Sequence, residues 1–377
     1  MDDLSRVTDP PKHHFFGYYE KSPWNGDESL LLTHETSFQD RRPTAADAAG
    51  ICVIDDQTNE CNRVAETYAW DFQQGAMLQW LGPSYDRKFI FNDRGDHGFV
   101  ARMYDVDTDR IQTVDHPVYA VTSDGRTGFT LDYARLDYTR PGYGYAPVDD
   151  RAEPEPHAHD EGVYRVDLND GSSELLVSLS TLATFDPVHS HRYGMHWVNH
   201  IQLSPHDEQV AFIHRSETPD DRRWLDRLFV MKPDGSNLQL LHSGFVSHYD
   251  WRTDEELLAW TDHNGTAFYR YHMDGSVDSM NRGVLPPDGH CSFSPDGEWL
   301  LLDSFPDERR HRGLFIYQWE RAELINLASV YSPPVELSSL RCDLHPRWDR
   351  SGKRICFDST HEGSRQLYVL DLADHVA

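Results

Sequence analysis

A repeated turn-and-strand motif constrains the fold of this chain more than any other feature. A turn of Ser-Pro-Asp-Gly character is followed by an apolar strand seven times, at intervals of roughly 40 to 80 residues. Repetition of this kind indicates one structural unit used many times over. The copies are SPWNGDESLLL (22–32), GPSYDRKFIF (82–91), TSDGRTGFTL (122–131), SPHDEQVAFI (204–213), RTDEELLAW (252–260), SPDGEWLLL (294–302) and DRSGKRICF (349–357).

A second turn follows within most copies, and short apolar runs flank it as a β-hairpin requires. Two hairpins per copy make four antiparallel strands, which is one blade of a propeller. The sequence therefore predicts an all-β fold, a seven-bladed β-propeller that forms a single domain over residues 1–377. The second turns are IDDQTNE (54–60), DVDTDR (105–110), DLNDGSS (167–173), KPDGSN (232–237) and HMDGSV (272–277).

The last predicted blade is one strand short, and the segment 4–7 is expected to supply that strand and close the ring. The third blade carries an insertion, 141–162, whose Pro, acidic and His residues predict a loop. Residues 175–182 are expected to form one short turn of helix. The predicted blades span approximately 13–66, 70–115, 116–180, 190–243, 245–285, 288–335 and 340–377 with 4–7.

The composition bounds the partners and the compartment. A net charge of −28 repels phosphate backbones, so nucleic acid is excluded as a partner, and it favours a halophilic protein, since high salt screens self-repulsion. Five cysteines without a CxxC pair favour a reducing compartment. The start lacks the pattern of a signal peptide and no apolar run is long enough for a membrane span, so we expect a cytoplasmic protein with no membrane partner.

Histidines recur at one position of four consecutive blades. Equivalent positions on innermost strands converge at one depth of a propeller channel, and converging imidazoles predict a divalent metal site, with Mn or Zn as the cofactor. The alternative is a set of channel histidines bonded to water. Asp343, two residues before His345 and so on the same strand face, is a further ligand or a supporting partner. The histidines are His200, His248, His290 and His345, each five residues before Pro205, Thr253, Pro295 and Arg350 respectively.

Other polar residues are predicted at similar channel-facing positions. Together they describe a cationic pocket in an acidic protein, which favours an anionic ligand such as a uronate, although each alone is compatible with ordinary packing. The candidate catalytic residues are His14, His196, Arg135, Tyr138 and Arg140, and the candidate substrate-binding residues are Tyr18, Tyr19, Gln79 and Tyr143.

Two C-terminal stretches carry a family resemblance. DGHCSFSPDGEWLLLDSFPD and RCDLHPRWDRSGKRICFDSTHEG resemble the last blades of oligogalacturonate-lyase-like propellers and, more loosely, ulvan lyases and TolB-type propellers. The resemblance implies that His248, His290 and His345 hold a divalent metal, usually manganese. The metal would bind the uronate carboxylate while a basic residue removes the C5 proton. Leu340 and Asp343 depart from the family's Gln and first His, which predicts a different metal shell and another sugar.

These observations favour a metal-dependent lyase that cleaves a uronate-containing oligosaccharide by β-elimination. The proton acceptor is left open between His196, His14 and a tyrosine. Two alternatives stay open as well. One is a glycoside hydrolase on the same fold, for which a pair of carboxylates is expected. The other is a non-enzymatic, TolB-like interaction scaffold, since a propeller does not determine a function.

Overall fold

Seven four-stranded antiparallel sheets make up the described part of the chain. The computed structural model describes residues 4–147, 153–220, 222–280, 283–373 and 375–376. The strand order in each sheet follows the chain, except in the last sheet, which takes its outer strand from the N-terminus. The predicted seven-bladed β-propeller is therefore confirmed.

The first three blades contain strands β2 to β13 in chain order. Blade one has β2 (His13–Phe15), β3 (Leu30–Thr36), β4 (Ala49–Asp55) and β5 (Cys61–Thr67). Blade two has β6 (Gln79–Trp80), β7 (Lys88–Gly95), β8 (Gly98–Asp105) and β9 (Arg110–Val114). Blade three has β10 (Ala120–Val121), β11 (Thr127–Thr130), β12 (Gly162–Asp167) and β13 (Ser173–Ser178).

The last four blades complete the ring. Blade four has β14 (His196–Leu203), β15 (Val210–Glu217), β16 (Trp224–Met231) and β17 (Gln239–Gly244). Blade five has β18 (Val246–Thr253), β19 (Glu256–Thr261), β20 (Ala267–His272) and β21 (Val277–Ser279). Blade six has β22 (Cys291–Phe293), β23 (Trp299–Asp303), β24 (His311–Gln318) and β25 (Glu323–Tyr331). Blade seven has β26 (Arg347–Trp348), β27 (Arg354–Ser359), β28 (Gln366–Asp371) and, as its outer strand, β1 (Leu4–Arg6).

The N-terminal strand closes the ring as the sequence predicted. Leu4 pairs with Leu370 and Arg6 with Tyr368 in an antiparallel register. Directly after β1, Val7 is buried in a cluster that joins blades one and seven. Because the outer strand of the last blade comes from the opposite end of the chain, both ends are needed to complete that blade.

Two short α-helices interrupt the strand pattern. Helix α1 (Tyr133–Thr139) lies in the connection between β11 and β12, and the Asp132 carboxylate caps it by accepting from the N–H groups of Ala134 and Arg135. The sequence did not predict α1. The predicted helical turn at 175–182 is divided between β13 and helix α2 (Leu179–Thr184).

Short 3-10 helices cover His189–His191 and Ser338–Leu340. No helix within the described ranges is long and apolar enough to cross a bilayer. Of the insertion 141–162, residues 148–152 lie outside the described residues.

The apolar core lies between neighbouring blades. One cluster, for example, joins Ile213 and Leu228 of blade four to Trp251 and Leu257 of blade five. Strand alternation sends such side chains to the blade faces, where the next blade covers them. The five cysteines are all free thiols, and Cys291 and Cys342 are buried in this interior.

Candidate metal centre and its surroundings

The four histidines of the predicted register lie in an innermost strand or directly before one. His200 and His248 belong to β14 and β18, His290 directly precedes β22, and His345 lies just before β26. All are at most 7% exposed. We call the end of the ring at which the innermost strands begin the upper face. The connections from the second to the third strand of each blade, and from one blade to the next, also lie on this face.

Three of these histidines form a continuous row across blades five, six and seven. The ring centroids of His248 and His290 are 4.2 Å apart, and those of His290 and His345 are also 4.2 Å apart. In the part of the chain that the structure describes, the ligand atoms of His290, Asp343 and His345 all lie within 4.8 Å of one another. We call His248, His290, His345 and Asp343 the imidazole cluster.

His200 does not join this row. Its ring stacks on Tyr249 with centroids 4.2 Å apart. Tyr18 and Tyr19 lie against it at 5.0 and 5.5 Å, and each also contacts a ring of the imidazole cluster at 5.2 Å. The two tyrosines therefore stand between His200 and the cluster.

The backbone at two of the histidines is strained. His200 has a φ of 53° and His345 a φ of 42°, in the left-handed region that side chains other than glycine rarely occupy. At His200 the cause is a bulge, because the register of β14 on β15 shifts between Asn199 and Gln202. Strain of this kind concentrates at functional sites, where it directs a side chain away from the regular strand direction.

Carboxylates fix the orientation of two rings in the cluster. The Asp303 carboxylate accepts from the His290 backbone N–H at 2.7 Å and from Nδ1–H of the same residue at 2.9 Å. The Nδ1–H of His248 donates to Asp288 at 2.8 Å. A neutral imidazole that donates from Nδ1 carries its lone pair on Nε2, so both rings present the nitrogen that a metal requires.

Burial keeps two of the imidazoles, those of His248 and His345, in their metal-binding form. It lowers the pKa of His248 and, more strongly, that of His345. The neighbouring His290 lowers both pKa values further, and Arg347 adds to the effect on His345. Since only a neutral imidazole binds a metal, the electrostatics of the site favour the state that a ligand needs.

Two arginines hold the carboxylate of the cluster. Arg312 Nη2 and Arg341 Nε each lie 2.6 Å from one oxygen of Asp343, although neither contact has the angle of a hydrogen bond. Burial alone would raise the pKa of Asp343, but these two charges outweigh it and lower the pKa below its ordinary value. The carboxylate is thus ionised, as a metal ligand must be.

A tyrosine of the insertion lies beside the cluster. The Tyr143 hydroxyl accepts from Arg341 Nη2 at 2.8 Å, so a single arginine joins Tyr143 to Asp343. The guanidinium of Arg140 covers the Tyr143 ring at 3.9 Å. Two cations therefore lie next to one phenol.

Arg215 is a second cation near the tyrosines of the channel. Its Nη1 donates to Asp226 at 2.6 Å and its Nε to Asn199 at 2.9 Å, which holds the guanidinium in place. The positive charges of Arg140 and Arg215 both lower the pKa of Tyr18. Burial, assisted by Tyr143, nevertheless raises the pKa of Tyr18 well above its ordinary value, so its phenol stays protonated.

His196 is engaged in a directed hydrogen-bond chain rather than in the cluster. Arg227 donates to His214 Nδ1 at 3.1 Å. The opposite nitrogen, Nε2–H, must then donate to His196 Nδ1 at 2.9 Å, and His196 Nε2–H to the His191 carbonyl at 2.9 Å. Both nitrogens of His196 are occupied, and burial lowers its pKa to about 4.

Two other candidate catalytic residues are also bonded elsewhere. His14 Nδ1 lies 3.0 Å from the Gln366 amide oxygen, at the junction of blades one and seven. Arg135 pairs with Glu161 and donates to the His196 carbonyl at 3.0 Å. The structure brings neither side chain to the imidazole cluster.

The remaining candidates are distributed between the surface and the channel wall. Tyr138 is 49% exposed on α1. Gln79 Nε2 donates to the carbonyls of Met77 and Tyr119 at 3.1 and 3.3 Å, so it joins neighbouring blades. The Tyr19 hydroxyl donates to a blade-five carbonyl at 3.0 Å. Of the predicted set, the residues placed beside the cluster are Tyr18, Tyr19, Tyr143 and Arg140.

Sequence reasoning missed the partners of the cluster. Arg312 lies outside the histidine stretches, and although Asp303 and Arg341 lie within them, no local pattern singles these residues out. A signal for Tyr18 was present. It lies five residues before Pro23, so it occupies the histidine register in blade one.

The fold and the site together define a seven-bladed propeller with an imidazole cluster at the upper end of its channel. The chain is structurally similar to a solved oligogalacturonate lyase in complex with manganese, with a TM-score of 0.69 and 17% identity over 98% of this chain and 93% of that one. An oligogalacturonate lyase of Vibrio parahaemolyticus gives a TM-score of 0.66 and 16% identity, with the same coverages of 98% and 93%.

The β-propeller domain of the Trilobed protease from Pyrococcus furiosus is more distant, with a TM-score of 0.54 and 10% identity over 95% of this chain and 96% of that one. No family model and no curated protein sequence matches the chain. At these identities the structural likeness establishes the propeller, while the chemistry must be argued from the site.

Proposed function

We propose that this protein is a metal-dependent lyase that cleaves a uronate-containing oligosaccharide by β-elimination. The observation that carries the proposal is the row of three buried imidazoles with an ionised carboxylate beside it. The structural similarity to oligogalacturonate lyases supports the same conclusion.

The cluster fits a divalent cation. The Nε2 atoms of His290 and His345 and an oxygen of Asp343 are the donors, with His248 beside them. Mixed imidazole and carboxylate donors suit manganese or zinc. Such an ion, when bound, acts as a Lewis acid on a substrate carboxylate and so makes the adjacent C–H more acidic.

Arginines of the upper face orient the substrate. The guanidinium groups of Arg140 and Arg215 lie close enough to Tyr18 for their charges to lower its pKa. A guanidinium group binds a carboxylate through two parallel hydrogen bonds. We assign them to the uronate carboxylates. This choice explains why a strongly acidic chain holds arginines close to the cluster.

Two tyrosines divide the proton transfers of the reaction. Tyr143, with one guanidinium bonded to its oxygen and another over its ring, is the base that takes the C5 proton. Tyr18, whose raised pKa keeps it protonated, is the acid that gives a proton to the leaving glycosidic oxygen. The electrons of the broken C–H bond form the C4–C5 double bond as the C4–O bond breaks.

The test is product analysis. Purified protein with Mn²⁺ is incubated with oligomers of galacturonate and of other uronates, and the absorbance of the unsaturated uronate is followed. A lyase produces that absorbance together with a new reducing end. A new reducing end on a saturated sugar identifies a hydrolase instead. No cleavage of any uronate oligomer contradicts both enzymes and leaves the scaffold.

A further inference from the structure

The upper face carries nearly all of the large hydrophobic side chains that are exposed in the described ranges. Of the eleven large hydrophobic side chains that are exposed in the described ranges, ten lie on connections or strand ends of this face, and Ile111 alone lies on the opposite face. Single exposed apolar residues need no explanation, but a one-sided distribution marks a binding surface.

Three of these side chains lie on the upper face of the neighbouring blades four to six, and one of them, Phe305, reaches the imidazole cluster. Trp224 begins β16 and is 46% exposed, Phe245 precedes β18 at 43%, and Phe305 follows β23 at 41%. Phe305 lies 6.3 Å from the ring of His248. We call Trp224, Phe245 and Phe305 the aromatic arc.

Guanidinium groups accompany the arc. Arg215 lies 5.8 Å from the Trp224 ring and Arg312 lies 5.8 Å from the Phe305 ring. Arg215 also reaches the carbonyl of Val246, next to Phe245, at 3.4 Å. Trp224 and Phe305 therefore each have a guanidinium 5.8 Å from the ring, and Phe245 directly precedes the carbonyl that Arg215 reaches, in a chain whose net charge is −28.

This combination fits one kind of occupant. The C–H faces of a pyranose ring pack on aromatic plates, and its carboxylate is attracted by guanidinium groups. We propose that the aromatic arc binds further sugar rings of an anionic polysaccharide chain, beyond the rings on either side of the bond that is cleaved. The inference rests on the proposed function for its substrate class and extends it to chain length.

Retardation in native gels tests the arc without any turnover. Protein in EDTA is run through gels that contain polygalacturonate, alginate, neutral dextran or no polymer. Because polyanions repel an acidic protein, retardation by a uronate polymer and not by dextran requires a specific site. The variants are Phe305→Ala, Phe245→Ala and Trp224→Ala, and the control is Ile111→Ala, which removes an exposed apolar side chain from the opposite face.

We expect each arc variant to weaken the apparent affinity by about 2- to 10-fold, the contribution of one aromatic contact, while Ile111→Ala stays at the wild-type value. Thermal unfolding identifies a variant that fails to fold. If Trp224→Ala fails to fold, Phe245→Ala and Phe305→Ala are sufficient for the test. Arc variants that bind like Ile111→Ala overturn the inference. A change in sedimentation with unchanged retardation also overturns it, since the arc then belongs to a dimer interface.

The two proposals fail separately. If retardation depends on the arc but no unsaturated product forms, the lyase proposal is wrong and the binding surface stands. If unsaturated product forms from short oligomers while no uronate polymer retards the protein, the lyase stands and the extended surface is wrong.

Discussion

The Nε2 atoms of His290 and His345 face each other at 3.1 Å across the junction of blades six and seven. His290 already donates its Nδ1 proton to Asp303, so its Nε2 carries a lone pair directed at the neighbouring ring. A neutral His345 with its proton on Nε2 donates to this lone pair, whereas the tautomer with its proton on Nδ1 leaves two lone pairs that a cation can bridge. Burial lowers the pKa of His345, so the ring stays neutral and a cation can replace the hydrogen bond between the two rings.

We therefore expect one divalent ion per chain, and we expect it to stabilise the fold. Mn²⁺ at 100 times its dissociation constant should raise the free energy of unfolding by about 2.7 kcal/mol, seen as a higher melting temperature. His290→Ala and His345→Ala should lose this shift, whereas His97→Ala, an exposed histidine on the upper face, should keep it. Metal content after dialysis gives an independent measurement. A shift that survives both cluster variants would place the metal elsewhere.

Asp303→Asn tests the support of the cluster without removing a ligand. The asparagine keeps the volume but loses the charge that fixes the His290 ring, so the metal dissociation constant should rise by about 10- to 100-fold. Calorimetric titration with Mn²⁺ measures it directly. The control is Asp278→Asn, which removes a surface ion pair with Arg270 on blade five. Equal affinity in the two variants would mean that Asp303 serves folding alone.

The division between what the sequence predicted and what it missed has physical causes. Strand register converts a spacing of five residues into a common depth in the channel, and this is why counting brought His248, His290 and His345 together. Counting assumes regular strands, however. The bulge at His200 breaks that assumption, and Tyr18 and Tyr19 separate this histidine from the row.

Tertiary partners left no local signal. Asp343 was singled out for its strand face, but the structure places it in the loop before β26, where Arg312 of β24 and Arg341 of the same loop flank it. His196 lies in blade four as expected, yet its role depends on Arg227, two strands away. Helix α1 has seven residues and one capping carboxylate, too short for a clear apolar period.

Acid should destabilise the propeller through His34, which lies outside the imidazole cluster. Its Nε2 accepts from the Ala76 N–H at 3.0 Å, and burial lowers its pKa to about 4. In the folded state His34 thus stays neutral at pH values at which the same residue of the unfolded chain is protonated, which begins below about pH 6.5. The contribution of His34 to the free energy of unfolding is fully present above that pH. It is lost as the pH falls towards 4, and the loss amounts to about 3 kcal/mol.

Urea unfolding at several pH values between 7 and 4 measures this loss. His34→Gln offers an acceptor that does not titrate in this range, so its stability should fall less steeply with acid than that of the wild type. His97→Gln serves as the exposed control. Parallel curves for His34→Gln and the wild type would assign the acid sensitivity to other buried histidines.

Tyr143→Phe should separate chemistry from binding. The variant keeps the ring under Arg140 but loses the hydroxyl that accepts from Arg341, so the turnover number should fall by about 100-fold or more, the usual contribution of a general base. Metal affinity should stay within about threefold of wild type, because Tyr143 is no ligand of the cluster.

Tyr138→Phe is the matched control, since its hydroxyl belongs to an exposed side chain of α1 near the same insertion. Initial rates of unsaturated-uronate formation across pH distinguish the roles. A base leaves a residual rate whose dependence on alkaline pH is altered, whereas a mere substrate contact raises KM and preserves the profile. Full activity in Tyr143→Phe would mean that another group abstracts the proton. Loss of activity in Tyr138→Phe would show that the insertion acts through its fold.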